Sequence, residues 1–185
     1  RRILHVMDMH AAERGRVDHH GIAMIDGWPH CPAISETLVE ITRPEKLSVP
    51  RNDQDRSSAA AVAIDEFRAG ITARDRYAFR RTSGWTTKKR SGERVERYEC
   101  PAEAGQMRCP LKAHSMAYPD DVPAVLNPPD PATAPTCCSQ RTVELGEDAQ
   151  GKLRQEHRWG TDTWIKAYGR RTFVEGGFGV LRNPA

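Results

Sequence analysis

The sequence predicts a mixed α/β chain with a loop-rich middle, and three observations carry that expectation. Arg2 to Met7 is a short apolar run with a β-branched centre that stops at Asp8, the pattern of a buried strand. A segment opening at Ser57 or Ser58 places Ile64, Phe67, Ile71 and Ala78 on one narrow helical stripe. Near the other end, Thr161 can cap a final helix, with Asp162 well placed against the helix dipole in its first turn.

The elements follow in order. Ala11 to Arg16 is polar, contains Gly15 and reads as a loop. Gly21 to Ile25 reads as a second strand, closed by the turn pair Asp26-Gly27. Pro29, Pro32, Pro44 and Pro50 interrupt the next stretch, and Arg51 to Arg56 is a charged connector. The helix from Ser57 or Ser58 is expected to run to about Arg80, with Arg68, Arg74, Arg76, Arg80 and Arg81 making much of its remainder basic. Gly84 to Gly92 reads as a loop tipped by Lys88-Lys89-Arg90, and Arg94 to Cys100 alternates weakly enough to be a strand. Tyr118 to Pro135, with Pro119, Pro123, Pro128, Pro129, Pro131 and Pro135, reads as an extended, polyproline-like connector without a core of its own. Thr142 to Leu145 is a candidate strand and Asp148 to His157 a candidate short helix. No internal repeat is present.

Composition sets bounds. At 185 residues the chain can form one domain, or one large and one small. Its hydrophobic content of 38% and mean hydropathy of −0.68 place it at the polar end of globular proteins. The net charge of +3 is too small to imply a nucleic-acid partner, so any basic surface must be local. No apolar run approaches the roughly 20 residues of a membrane helix, and Arg1 to Met7 is too short for the core of a signal peptide, so a cytoplasmic protein is expected. Five cysteines without an export signal favour reduced thiols or metal ligation over disulfides.

The most specific pattern lies in the last helix-like stretch, Tyr168 to Arg182. Tyr168, Arg171, Glu175 and Arg182 fit Y-x2-R-x3-E-x6-[K/R]. At about 100° per residue they share a sector roughly 60° wide with Trp164 as origin. One stripe thus offers a carboxylate between cations, which suits a divalent metal beside phosphate oxygens. The plain alternative is a surface glutamate paired with Arg171 at i−4, with Tyr168 packed on Trp164.

This stripe resembles the signature around the third acid of bacterial insertion-sequence DDE transposases. Val17 to Leu38, with Ile25-Asp26-Gly27-Trp28-Pro29-His30-Cys31-Pro32-Ala33 at its centre, resembles the "DG-x-x-YCPAMPE" segment of actinobacterial members. Tyr98-Glu99-Cys100-Pro101-Ala102 and Arg108-Cys109-Pro110-Leu111-Lys112 resemble their "CPA…CPLK" segment, and Thr136-Cys137-Cys138-Ser139-Gln140 resembles "CCTQ". Trp159-Gly160-Thr161, Trp164, Tyr168 and Thr172-Phe173-Val174-Glu175-Gly176 resemble "YGSPEW…Y…NTVEG". The matches run in family order over most of the chain. Two departures stand out: Arg182 occupies the usual lysine position, and at some of the positions of Gly176, Gly177 and Gly179 the family more often has bulkier residues.

The resemblance implies an α/β chain with a partial RNase H-like fold, its last strand and acidic helix interrupted by a Cys-containing, loop-rich α+β insertion domain. Residues 1–10 would hold the strand, 11–158 the insertion and 159–185 the helix with the third acid. The first two family aspartates would precede Arg1. The implied activity is DNA cleavage and strand transfer dependent on Mg²⁺ or Mn²⁺, with Glu175 as metal ligand and Tyr168, Arg171 and Arg182 at DNA phosphates. This portion alone would be inactive. DNA is the implied partner, with no membrane, and a homodimer is a candidate state of the complete protein.

Further candidates come from the residues themselves. Cys100, Cys109, Cys137 and Cys138 could hold a structural zinc, with Cys31 and His30 in reserve, although adjacent cysteines rarely bind one ion and buried free thiols are the alternative. His19, His20 and His30 are candidate ligands or ordinary loop histidines. Asp8 and Asp26 end candidate strands, where metal-binding acids can sit. Lys88, Lys89 and Arg90, with Trp85 nearby, could grip a DNA backbone or form a solvated loop. The second functional reading is therefore a non-catalytic, zinc-stabilised module that binds DNA or protein. No Gly-rich phosphate loop, nucleophile elbow or dinucleotide fingerprint is present.

Overall fold

A computed structural model describes residues 15–41, 44, 59–150 and 153–170. The expected strand Arg2 to Met7, with Asp8, and the segment 171–185 lie outside these residues. The described part combines helices with antiparallel sheets.

The first sheet is a three-stranded meander: β1 (Arg16–His19), β2 (Ile22–Ile25) and β3 (Trp28–His30). Each connection is two residues long with both backbones left-handed: His20-Gly21 (φ 52° and 79°) and Asp26-Gly27 (φ 51° and 75°). Such turns match the twist of the strands they join. Asp26-Gly27 is the expected turn; β1 and β3 carry no strand signal in the sequence, because β1 is short and polar and β3 contains Pro29. β2 is buried on both faces and feeds two clusters. Ile22 and Met24 enter the main core, whereas Ala23 and Ile25 pack with Ile34 and Val39. Val39 belongs to a one-turn helix, α1 (Glu36–Val39).

The long helix α2 is Ala59–Asp75. Phe67 and Ile71 from its apolar stripe pack against Trp159, Trp164 and Ala167. The expected extension to Arg80 does not form. The Phe79 amide instead donates to the Pro29 carbonyl at 2.9 Å and the Cys31 amide to the Tyr77 carbonyl at 2.8 Å, joining the chain after α2 to β3. Beyond it, β4 (Arg80–Arg81) pairs with β6 (Arg94–Glu99). Strand pairing outcompetes the modest helical propensity of this stretch.

β6 is the centre of the second sheet. β4 and β5 (Thr86–Thr87) pair along it, and β7 (Thr142–Leu145) pairs with Glu96 to Glu99. Val95, Glu96, Tyr98 and Glu99 of β6 are buried, while Arg94 and Arg97 face outward. The buried Glu96 is balanced by Arg154, whose guanidinium lies 2.9 Å from it and also donates to the carbonyls of Leu145, Gly146 and Ala149. Tyr98 completes the group by donating its hydroxyl to Glu96 at 2.9 Å. Both charges of this group are paired, as their burial demands.

The Pro-rich stretch 118–135 does reach the core. Val125 is buried, and its amide donates to the Arg108 carbonyl at 2.8 Å within a bridge between Arg108 and Ala124. A short helix, α3 (Thr136–Ser139), leads from this stretch to β7. Of the expected short helix Asp148 to His157, residues 148–150 form a turn, Leu153 is 3-10 helical and 154–157 are not helical. The last described element, α4, is helical over residues 162–170. Thr161 caps it as expected, its hydroxyl accepting the Trp164 amide at 3.3 Å. The packing of α4 on α2 continues across the boundary expected between 158 and 159. Among the described residues, no helix is long and apolar enough to cross a membrane.

Candidate metal centre

The five cysteines arrive from three separated parts of the chain and meet. Cys31 follows β3, Cys100 and Cys109 flank the turn after β6, and Cys137 and Cys138 occupy α3. All five are free. Cys100, Cys109 and Cys137 share the main core, with Cys138 packed against it. Cys31 is within electrostatic reach of Cys100, Cys109 and Cys138, and Cys137 is within reach of Cys138, Cys31 and Cys100.

Three of the thiols sit in turns of one design. In Cys31-Pro32-Ala33 the Ala33 amide donates to the Cys31 sulfur. In Cys100-Pro101-Ala102-Glu103 the Ala102 and Glu103 amides donate to Cys100, and in Cys109-Pro110-Leu111-Lys112 the Leu111 amide donates to the Cys109 sulfur while the Lys112 amide donates to the Cys109 carbonyl at 2.9 Å. The proline fixes φ and carries no N–H, so the amides that follow converge on sulfur. Ser115 clamps the third turn: its hydroxyl accepts the Cys109 amide at 2.8 Å and donates to the Lys112 carbonyl at 2.7 Å.

Burial dominates the electrostatics. It pushes the Cys31 thiol up to about 12 against the Ala33 hydrogen bond, with neighbouring thiols adding to the rise. Cys100 and Cys109 are raised for the same first reason. Cys137 and Cys138 split. Their mutual hydrogen bond holds the proton on Cys137, whose pKa is raised, and brings Cys138 down to about 7, burial opposing and Lys112 assisting. The single Cys137 proton has a second acceptor, the Gly21 carbonyl at 3.7 Å. Lys112 is itself buried, with Nζ at 3.0 Å from the Gln140 carbonyl and 3.2 Å from Glu103.

The sulfurs are looser than in a closed zinc site. Among the described residues, the one group of three or more potential ligands with all donor atoms within 4.8 Å of one another is His19, His20 and Asp148, at the tip of the first hairpin. That group is more open to solvent: His20 and Asp148 are exposed. No protein-family model, curated protein or solved structure matches this chain.

His30 is no ligand here. It is buried, Nδ1 lies 2.8 Å from the Trp28 carbonyl, and burial with nearby Arg74 and Arg158 drives its pKa down to about 3. Asp26 is committed to an ion pair with Arg74. Tyr168 is half-buried and stacks on Trp164, with ring centroids 4.9 Å apart and planes 7° apart. Glu175, Arg171 and Arg182 lie outside the described residues. Lys88 is held by Glu93 at 3.0 Å and Glu144 at 3.2 Å, whereas Lys89 and Arg90 are exposed in the β5–β6 turn. Trp85 is not part of that tip: Arg94 and Arg154 lie over its ring at 5.3 and 4.9 Å. Asp148, beside His19, leaves no mark in the sequence, because it reaches its place through long-range folding. Lys112 lies inside the Cys109-Pro110-Leu111-Lys112 segment, but its role beside Cys138 has no spacing signal.

Proposed function

We propose that this chain is the C-terminal portion of an insertion-sequence DDE transposase, a cytoplasmic enzyme that acts on DNA. Residues 11–158 are its insertion domain, and Glu175 is the third metal-binding acid of an RNase H-like core. One observation supports this reading above the others. The Cys-bearing segments carrying the family resemblance come from three separated parts of the chain, yet their thiols gather in one place: Cys31, Cys100 with Cys109, and the Cys137-Cys138 pair. Unrelated short matches would have no reason to converge. A further segment, Trp159 to Tyr168, opens the helix that leads towards Glu175.

In the complete protein a pair of divalent ions supplies the means to activate water or a 3′-hydroxyl and to stabilise the leaving oxygen. Glu175 would contribute its carboxylate to that site. Arg171 and Arg182 would neutralise phosphate oxygens, with Tyr168 beside them. The test is Glu175→Gln in the complete protein, with cleavage and DNA binding measured side by side. Loss of cleavage with binding retained is expected; retained cleavage overturns the assignment.

The same convergence of thiols favours a second reading, a non-catalytic zinc-stabilised module that binds DNA or protein. It predicts DNA affinity in this chain that falls steeply with salt and is indifferent to Glu175.

A further inference from the structure

We propose that Cys31, Cys100, Cys109 and Cys138 bind one zinc ion as a tetrathiolate site, with Cys137 outside the ligand set and Lys112 as its positioning cation. Such a site does not depend on the chain coming from a transposase.

Cys31-Pro32, Cys100-Pro101 and Cys109-Pro110 each aim at least one backbone amide at their own sulfur. Such N–H···S bonds do little for a buried thiol, a weak acceptor, and much for a sulfur that carries charge. Three copies of one device, from two distant parts of the chain, point towards a common centre. Zinc needs a fourth ligand to close its tetrahedron.

α3 offers two candidates, and adjacent cysteines rarely both ligate one ion, so their surroundings decide between them. Cys137 lies in the core, 3% exposed, with its sulfur 3.7 Å from the Gly21 carbonyl. That contact seats α3 on the first hairpin. Cys138 is partly exposed and faces Cys31, Cys109 and Lys112. This set differs from the one expected by spacing, exchanging Cys137 for Cys31.

Four thiolates and one Zn²⁺ carry a net charge of −2. Lys112, 7% exposed, tied to the Gln140 carbonyl and 3.2 Å from Glu103, supplies a nearby buried cation from the Cys109 turn itself. Sulfurs about 2.3 Å from zinc stand about 3.8 Å apart. Among the described residues no three of these thiols lie within 4.8 Å of one another, so binding draws the three turns and α3 inward and couples metal affinity to folding.

The test uses the 185-residue chain purified under reducing conditions. Metal analysis should find about one zinc per chain, and replacement by Co²⁺ should give the intense visible bands of a tetrahedral thiolate centre. Neither measurement requires a variant to fold. Cys31→Ser and Cys138→Ser should then lose the metal and Cys137→Ser should keep it, while Lys112→Met should weaken binding roughly 10- to 100-fold. Absence of zinc and of cobalt–thiolate bands overturns the proposal. So does metal kept by Cys138→Ser but lost by Cys137→Ser. Metal that survives every cysteine substitution and leaves with His19→Ala also overturns it and assigns the ion to the hairpin tip.

Discussion

Arg74 and Asp26 form a buried ion pair, N to O 2.8 Å, with side chains 6% and 5% exposed. It pins the last turn of α2 to the second hairpin turn, where the Asp26 carboxylate also accepts the Gly15 amide. Removing the cation strands a buried carboxylate. Arg74→Met should therefore cost about 3–5 kcal/mol. Asp26→Asn tolerates the left-handed backbone, and combining the two should cost much less than the sum. Urea unfolding of both single variants and the double variant checks this; strict additivity would refute the coupling.

Gly21 joins the first hairpin to the start of α3. Its φ is +79°, and a Cβ there would stand 2.7 Å from Pro135 Cγ, immediately before the helix that carries Cys137 and Cys138. Gly21→Ala should destabilise the fold by at least about 1 kcal/mol and loosen any metal held by α3. Gly84→Ala, with open space at its Cβ and no left-handed backbone, is the matched control and should change the midpoint little. Equal midpoints for the two variants would count against a close approach of hairpin and helix.

Tyr168 stacks on Trp164, and that packing can be separated from any role at DNA. Tyr168→Ala should cost about 0.5–1.5 kcal/mol by removing the ring pair. Tyr168→Phe keeps the stack and removes the hydroxyl. If the phenol meets a phosphate, Tyr168→Phe lowers cleavage by the complete protein without shifting its thermal midpoint. Unchanged cleavage would leave Tyr168 a packing residue.

Glu144 gives a pH signature. Hydrogen bonds from Arg97 and Lys88 hold its carboxyl below the usual range, against a small opposing effect of burial. A carboxylate lowered on folding stabilises the folded state above its unfolded pKa, and that contribution disappears as pH falls from about 4.5 through the folded value. Glu144→Gln should therefore be slightly less stable than the parent at pH 7 and indistinguishable from it once the carboxylate is protonated. Because the site is partly exposed, high salt should shrink the gap as well. A gap that persists in acid would assign the effect to packing.

Lys89 and Arg90 test the basic turn. If it follows a DNA backbone, the double substitution to alanine should reduce the slope of log affinity against log salt by roughly 1 for each phosphate no longer neutralised. Lys88→Ala should do less, since Lys88 is already engaged by Glu93 and Glu144. An unchanged slope in the double variant would remove this turn from the DNA interface.

Local signals were legible wherever local physics decides. The Asp26-Gly27 turn, the apolar stripe of α2, the strand at β7 and the Thr161 cap all appear where turn chemistry, periodicity and capping place them. The same signals mislead where partners lie far away in sequence. Arg80 and Arg81 continue a helical pattern, yet they join a sheet because β6 offers backbone partners that a helix end lacks. Asp148 to His157 has the composition of a short helix, yet 148–150 form a turn and 154–157 are not helical, with Arg154 drawn into the core by Glu96.

By itself, then, the sequence determined a mixed helix-and-strand chain, its tightest turns, its last helix cap and the residue types able to hold a metal. Only the tertiary structure decided which thiols face one another, that Cys31 stands among them and that Lys112 lies beside them. The reason is range. Caps and turns are settled by groups a few residues apart, whereas a thiol cluster is assembled by a hairpin, a pair of Cys-Pro turns and a short helix whose meeting depends on burying one shared core.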